Sequence, residues 1–171
     1  MIEIYTDGSC RGKNQKGASN IGGHSRIVFL DEERVNIYCA SEENTTNNRQ
    51  ELRGLIEAMD YATNHPKDRF KIICDSSYCV NMCNSWIFTW AGNGWKNSKN
   101  QTVENIDLVK VVYQYLSGFP NFSISQTKGH AGELGNELAD LAARNDIVSL
   151  MKLVNEYGLI IENYVNLSEE I

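Results

Sequence analysis

Ile2-Glu3-Ile4-Tyr5-Thr6-Asp7-Gly8 is the stretch that decides the fold. Ile2, Ile4 and Thr6 alternate with Glu3 and Tyr5, the period of two that marks a strand. The strand is expected to end at Asp7, where an acid stops a buried run and projects from its end. A second stretch repeats the pattern. Phe70-Lys71-Ile72-Ile73-Cys74 is a short apolar run that closes on Asp75. In α/β sheets, ligands and reactive groups collect at strand ends.

Outward from these two stretches, the chain alternates strand and helix signals. Gly8 to Gly23 reads as a polar loop rich in Gly and Asn. Strands are expected at about 24–30 and 34–40, with Asp31-Glu32-Glu33 at the turn between them. Asn47 or Asn48 is expected to cap a helix. Leu52, Leu55, Ile56 and Met59 follow at helical spacing, and Glu51, four residues before Leu55, shares their inward side. Asn64-His65-Pro66 stops that helix, and Ser76 caps another. Trp86 and Trp90 lie one helical turn apart, before the breaker Ala91-Gly92-Asn93-Gly94. A helix from about Val103 to Leu116, a strand over 122–127 and a helix over 133–145 complete the pattern. The order βββαβα…αβα predicts an α/β fold with a mixed five-stranded sheet and helices on both faces.

The chain of 171 residues suits one domain with its own core. No apolar run approaches membrane-spanning length, and the N-terminus lacks the pattern of a secretory signal, so a cytoplasmic protein is expected. Five cysteines, Cys10, Cys39, Cys74, Cys79 and Cys83, are then expected as reduced thiols. Cys79 and Cys83 lack the tight pairing of a zinc site, and buried thiols are the simpler reading. The net charge is −6, which disfavours non-specific attraction to nucleic acid. Half of that excess lies in the tail from Ile147 to Ile171, so the total does not exclude a nucleic-acid face on the rest.

Asp7, Glu51, Asp75 and Asp140 each sit in a distinctive local setting. Several carboxylates meeting at strand ends repel one another unless cations neutralise them. The hard divalent ion suited to carboxylate ligands beside phosphates is magnesium. Each acid alone has a bland alternative, a helix cap for Asp75 and a solvated surface acid for the others.

Four segments occur in order: Tyr5-Thr6-Asp7-Gly8-Ser9, Thr46-Asn47-Asn48-Arg49-Gln50-Glu51-Leu52, Asp75-Ser76-Ser77-Tyr78, and Gly129-His130-Ala131-Gly132 with Asp140 following. In this order they resemble type 1 ribonuclease H, over about residues 1 to 146. The resemblance implies the ribonuclease H fold and an endonuclease that cuts the RNA strand of RNA–DNA hybrids. It implies two Mg²⁺ ions, with Mn²⁺ as an alternative, held by Asp7, Glu51, Asp75 and Asp140. His130 is expected to assist proton movement or product release. Asn47 is expected to face bases in the minor groove, and Thr46 and Asn48 to seat a DNA phosphate. Groups near Gly8, Ser9 and Cys10 and the Glu51 carboxylate are expected at the ribose 2′-hydroxyl. Ser76, Tyr78, Trp86 and Trp90 are expected along the DNA strand, with Asn14 and Asn136 as further polar substrate contacts.

The chain departs from the family pattern in places. Ser77 stands where an amide residue is frequent, which shortens a minor-groove contact. The stretch from Asn84 to Asp107 keeps the aromatics of a basic protrusion but offers only Lys96 and Lys99, opposed by Glu104 and Asp107. Weak hybrid binding with a shallow salt dependence is therefore expected. Residues 1–146 are expected as the catalytic domain, and 147–171 as a C-terminal extension packed on it. A monomer with no membrane association is expected. The competing readings are a ribonuclease H domain of reverse-transcriptase type and a catalytically silent hybrid-binding module of the same fold.

Overall fold

The computed structural model describes residues 1–11, 20–127 and 133–170. Strands β1 (Ile2–Arg11), β2 (Ile21–Phe29) and β3 (Arg34–Glu43) form an antiparallel meander. Helix α1 (Asn47–Thr63) crosses to β4 (Phe70–Cys74), which pairs parallel with β1. Helix α2 (Ser77–Asn81) runs through a π-helical turn at Met82–Trp86 into α3 (Ile87–Gly92). Then come α4 (Ile106–Leu116), β5 (Phe122–Gln126), α5 (Leu134–Ala143), α6 (Ile147–Glu156) and β6 (Ile160–Asn166), closed by a 3₁₀ turn at Leu167–Glu170. The sheet has six strands in the order β5-β4-β1-β2-β3-β6. No helix among the described residues is long and apolar enough to cross a membrane.

The strand alternation sorts side chains into two cores. Ile4 and Val28 face one side with Leu52, Leu55 and Met59 of α1 and Val109 and Val112 of α4. Their neighbours Tyr5 and Ile27 face the other, against Leu138 of α5 and Leu150 and Val154 of α6. The sheet is thus mixed and covered on both faces, as the sequence order predicts.

Four expectations need correction. The sheet gains a sixth strand because β6 pairs parallel with β3, from Arg34 against Ile160 to Cys39 against Asn166. Arg34 ties the new edge, its guanidinium 3.0 Å from Glu162. Strand β1 does not end at Asp7 but continues to Arg11, with Asp7 opposite Ser25 of β2. What ends near Asp7 is the parallel pairing with β4, whose last partners are Tyr5 and Ile73. Helix α4 starts at Ile106, because Asn105 takes the left-handed conformation at φ 55° and interrupts the helix. Finally, the α1 cap is Thr46, whose hydroxyl accepts from the Arg49 amide, and not Asn47 or Asn48.

Candidate active site

Asp7 projects from the middle of β1, at the point where β4 diverges. Helix α1 lies unusually close to the strand here. A Cβ at Gly8 would collide with the backbone of Gln50 and Glu51. One turn on, a Cβ at Gly54 would stand 3.0 Å from the Asp7 carbonyl oxygen. Glycine at both positions lets the helix approach the strand, and Glu51 is carried against Asp7. Asp75 follows β4, one residue before Ser76, which caps α2 by accepting from the Cys79 amide.

Asp140 comes from the opposite face of the sheet, on α5. Its helix is fixed by Ser25 of β2, whose hydroxyl donates to the Ala139 carbonyl at 2.6 Å. Ser9 reaches the Ala143 carbonyl at 3.4 Å, and the Tyr5 hydroxyl lies 3.0 Å from Glu133.

One carboxylate oxygen from each of Asp7, Glu51 and Asp75 can be chosen so that all three lie within 4.8 Å of one another. Asp140 lines the same cleft of about 460 Å³, together with Gly8, Ser9, Cys10, Asn47, Asn48, Ser76, Ser77 and Tyr78. Among the described residues, no Lys or Arg lines that cleft. Burial raises the pKa of Asp7, and the nearby charges of Asp75 and Asp140 raise it further. Burial likewise raises Glu51, reinforced by Asp7 and Asp75. Asp75, nearer the surface, is raised by the same two causes, burial and then Asp140. One Glu51 oxygen, Oε2, is buried without a hydrogen-bond partner among the described residues. A buried, unpartnered carboxylate oxygen among other acids is costly unless a cation meets it. The donor set, all hard oxygen, suits Mg²⁺ or Mn²⁺. Among the described residues, Asp140 alone of the four acids has a cationic partner, Arg144 at the C-terminal cap of α5, at 2.9 Å.

Among the other expected contacts, Asn47 and Asn48 reach the cleft, whereas Thr46 spends its hydroxyl on the cap. Trp86 and Trp90 do not line it. They extend it, since Tyr78 lies 5.8 Å from Trp86 and Trp86 lies 6.1 Å from Trp90, ring centre to ring centre. Trp86 is 40% exposed, an aromatic surface beside an acidic cleft. Asn136, on α5, does not line the cleft. Asn14 and His130 lie outside the described residues. Cys74, Cys79 and Cys83 are buried core thiols, and burial pushes the Cys79 pKa up to about 12. Sequence reasoning missed Thr45, Gln50 and His24, which form a buried polar chain behind the cleft. The available signal was a Gln at position 50, directly before Glu51 on the helix face expected to be inward.

Fold and cleft together define an α/β nuclease, and the comparisons with known proteins agree. The family model for RNase H matches residues 1–148. The ribonuclease H of Syntrophomonas wolfei subsp. wolfei (strain DSM 2245B / Goettingen) is 37% identical over 150 residues, covering 87% of this chain and 97% of that protein. The ribonuclease H of Francisella tularensis subsp. novicida (strain U112) is also 37% identical over 150 residues, covering 88% of this chain and 93% of that protein. The crystal structure of LC9-RNase H1, a type 1 RNase H with the type 2 active-site motif, superposes with TM-score 0.68 at 28% identity, covering 94% of this chain and 86% of that one. The chain belongs to the RNase H family, and hydrolysis of RNA in hybrid duplexes is the general kind of reaction this membership carries.

Proposed function

We propose that the chain is a metal-dependent endonuclease that hydrolyses the RNA strand of RNA–DNA hybrids and leaves 5′-phosphate and 3′-hydroxyl ends. The observation that carries this reading is the meeting of Asp7, Glu51 and Asp75, with Glu51 Oε2 buried and unpartnered, in a cleft that Asp140 also lines. Two Mg²⁺ ions are the proposed occupants. Asp7, Glu51, Asp75 and Asp140 would hold them. When bound, such ions supply charge stabilisation at the attacking and departing oxygens of an in-line displacement.

The protein's own groups do the rest. Water attacks phosphorus, a new P–O bond forms, and the bond to the 3′-oxygen breaks. The protons involved are assigned to solvent and to His130, in a supporting role. Asn47 and Asn48, exposed on the cleft wall, offer amides to a minor groove, whose shape and 2′-hydroxyls distinguish a hybrid. Tyr78, Trp86 and Trp90 form a stacking path for the DNA strand. Residues 1–146 are proposed as the catalytic domain and 147–171 as an extension that completes its second core.

A catalytically silent module is disfavoured by the acids themselves, since binding an anionic duplex gains nothing from converging carboxylates. The reverse-transcriptase reading rests on likeness of fold. The solution structure of the PFV RNase H domain superposes with TM-score 0.70 at 24% identity, covering 94% of this chain and 96% of that one.

The test is a panel of labelled RNA–DNA hybrid, double-stranded RNA, single-stranded RNA and duplex DNA, each with and without Mg²⁺. The reading requires cleavage of the RNA in the hybrid only, dependent on the ion, with 5′-phosphate products. An uncut hybrid, or equal cutting of duplex DNA, would overturn it.

A further inference from the structure

The first turn of α1 places Asn47 and Asn48 on the cleft wall, and both side chains are exposed. Two residues before Asn47, Thr45 is buried and held from three sides. Asn20 grips its backbone twice: Asn20 Oδ1 accepts from the Thr45 amide at 3.0 Å, and Asn20 Nδ2 donates to the Thr45 carbonyl at 2.9 Å. The Cys10 thiol donates to the same carbonyl at 3.7 Å. The Thr45 hydroxyl accepts from Gln50 Nε2 at 2.8 Å.

Gln50 is 0% exposed, a polar side chain on the inner face of a helix whose other buried residues are apolar or glycine. Its carboxamide oxygen lies 2.8 Å from His24 Nδ1. Because that oxygen can only accept, Nδ1 carries the ring proton and donates. Burial lowers the His24 pKa and keeps the ring neutral. Both ends of the Gln50 amide are thus committed, one to β2 through His24 and one to the recognition turn through Thr45. The packing around the pair leaves little slack, since a Cβ at Gly22 would crowd the side chains of Thr45 and Gln50.

We propose that Gln50 is a positioning residue for substrate binding. Through His24 and Thr45 it fixes the Asn47–Asn48 turn at a set distance from Asp7 and Glu51, so the two amides are in register when a duplex enters. The proposal rests on the ribonuclease reading above. It concerns where the duplex is held, not the bond-breaking step, so its signature lies in KM. Removing one partner leaves a buried donor or acceptor unmet and frees the turn.

The experiment is steady-state cleavage of a labelled RNA–DNA hybrid by the unmodified protein, Thr45→Val, Thr45→Ser, Gln50→Leu and the double variant Thr45→Val/Gln50→Leu. Thr45→Val keeps the shape and loses the hydroxyl. It is expected to raise KM about fivefold or more, with kcat within about twofold of the unmodified protein. Thr45→Ser keeps the hydroxyl and should behave as the unmodified protein does. The double variant should be no worse than Gln50→Leu alone, because both changes cut one connection. An unchanged KM in Thr45→Val, a fall in kcat without a rise in KM, or additive effects would overturn the proposal. If Gln50→Leu fails to fold, the Thr45→Val and Thr45→Ser pair decides. An unmodified protein inactive on the hybrid overturns the ribonuclease reading as well. An active one whose KM ignores the Thr45 hydroxyl overturns only the positioning role.

Discussion

Glu51→Gln should make the metal-free protein more stable while removing its activity. In the fold, burial and the charges of Asp7 and Asp75 raise the Glu51 pKa, and Oε2 has no partner. A carboxyl raised on folding stabilises the fold only below the ordinary carboxylate range. That contribution is lost as pH rises through the raised folded value. Asp7 is raised for the same reasons, so both groups pull the same way. The metal-free protein should therefore weaken steadily from pH 5 toward pH 8 and above. Glutamine carries no charge, and its amide can donate to Asp7. Avoiding the cost of holding one buried, unpartnered carboxyl out of its ordinary ionised state is worth about 2 kcal/mol. For a chain of this size that corresponds to a rise of about 4–8 °C in Tm. The assay is thermal unfolding by circular dichroism in chelator at pH 5 and pH 8, repeated with Mg²⁺. At pH 5 the two proteins should converge, because Glu51 is then protonated. At pH 8 the variant should melt higher, and Mg²⁺ should raise the unmodified protein toward it. A variant that melts lower at pH 8 in chelator would show that Glu51 is satisfied as a structural acid, and the argument would fail.

Three further outcomes follow from the geometry. Gly8→Ala places a methyl group against the Gln50 and Glu51 backbone, and should cost about 1–3 kcal/mol in denaturant unfolding while cutting hybrid cleavage further than stability alone explains. Leu150→Ala empties a fully buried site where α6 meets the second core, and should cost about 2–5 kcal/mol, read by the same unfolding curves. A shallow salt dependence of KM is expected, because Lys96 and Lys99 are the only cations from Asn84 to Asp107. Adding Ser98→Lys and Gln101→Lys should steepen the salt dependence and lower KM with little change in kcat. Asn97 and Asn100 are poor places for this test, since Asn97 Oδ1 accepts from the Lys99 and Gln101 amides and Asn100 sits at φ 58°.

The parts of this molecule legible in its sequence are those set by periodicity and by acids at element ends. The alternation at Ile2–Thr6 and the run at Phe70–Cys74 placed the central strands, and the structure pairs them in parallel. Asp7, Glu51 and Asp75 meet as their positions implied. What sequence could not show depended on partners far along the chain. Nothing local in Gly8–Arg11 reads as strand, yet pairing with β2 extends β1 to Arg11. Strand β6 has a weak alternation of its own and is held by β3 and by Arg34 bridging to Glu162. The α1 cap fell to Thr46 because Asn47 and Asn48 already lie within the helix, where their side chains are left for the cleft. Sequence reasoning assigned Gln50 no role. Only the fold shows that its amide is enclosed between His24 and Thr45.

The central claim is that Asp7, at the centre of the acidic cleft, is indispensable to hydrolysis of the RNA strand. The direct measurement is the rate of RNA cleavage in a labelled hybrid with Mg²⁺, for the unmodified protein and for Asp7→Asn shown to be folded. Losing a ligand that serves the transition state should slow cleavage by about a thousandfold or more. The variant's Tm should be equal to or above that of the unmodified protein, since a buried charge has gone. A folded Asp7→Asn protein that still cleaves the hybrid at the unmodified rate would contradict the account.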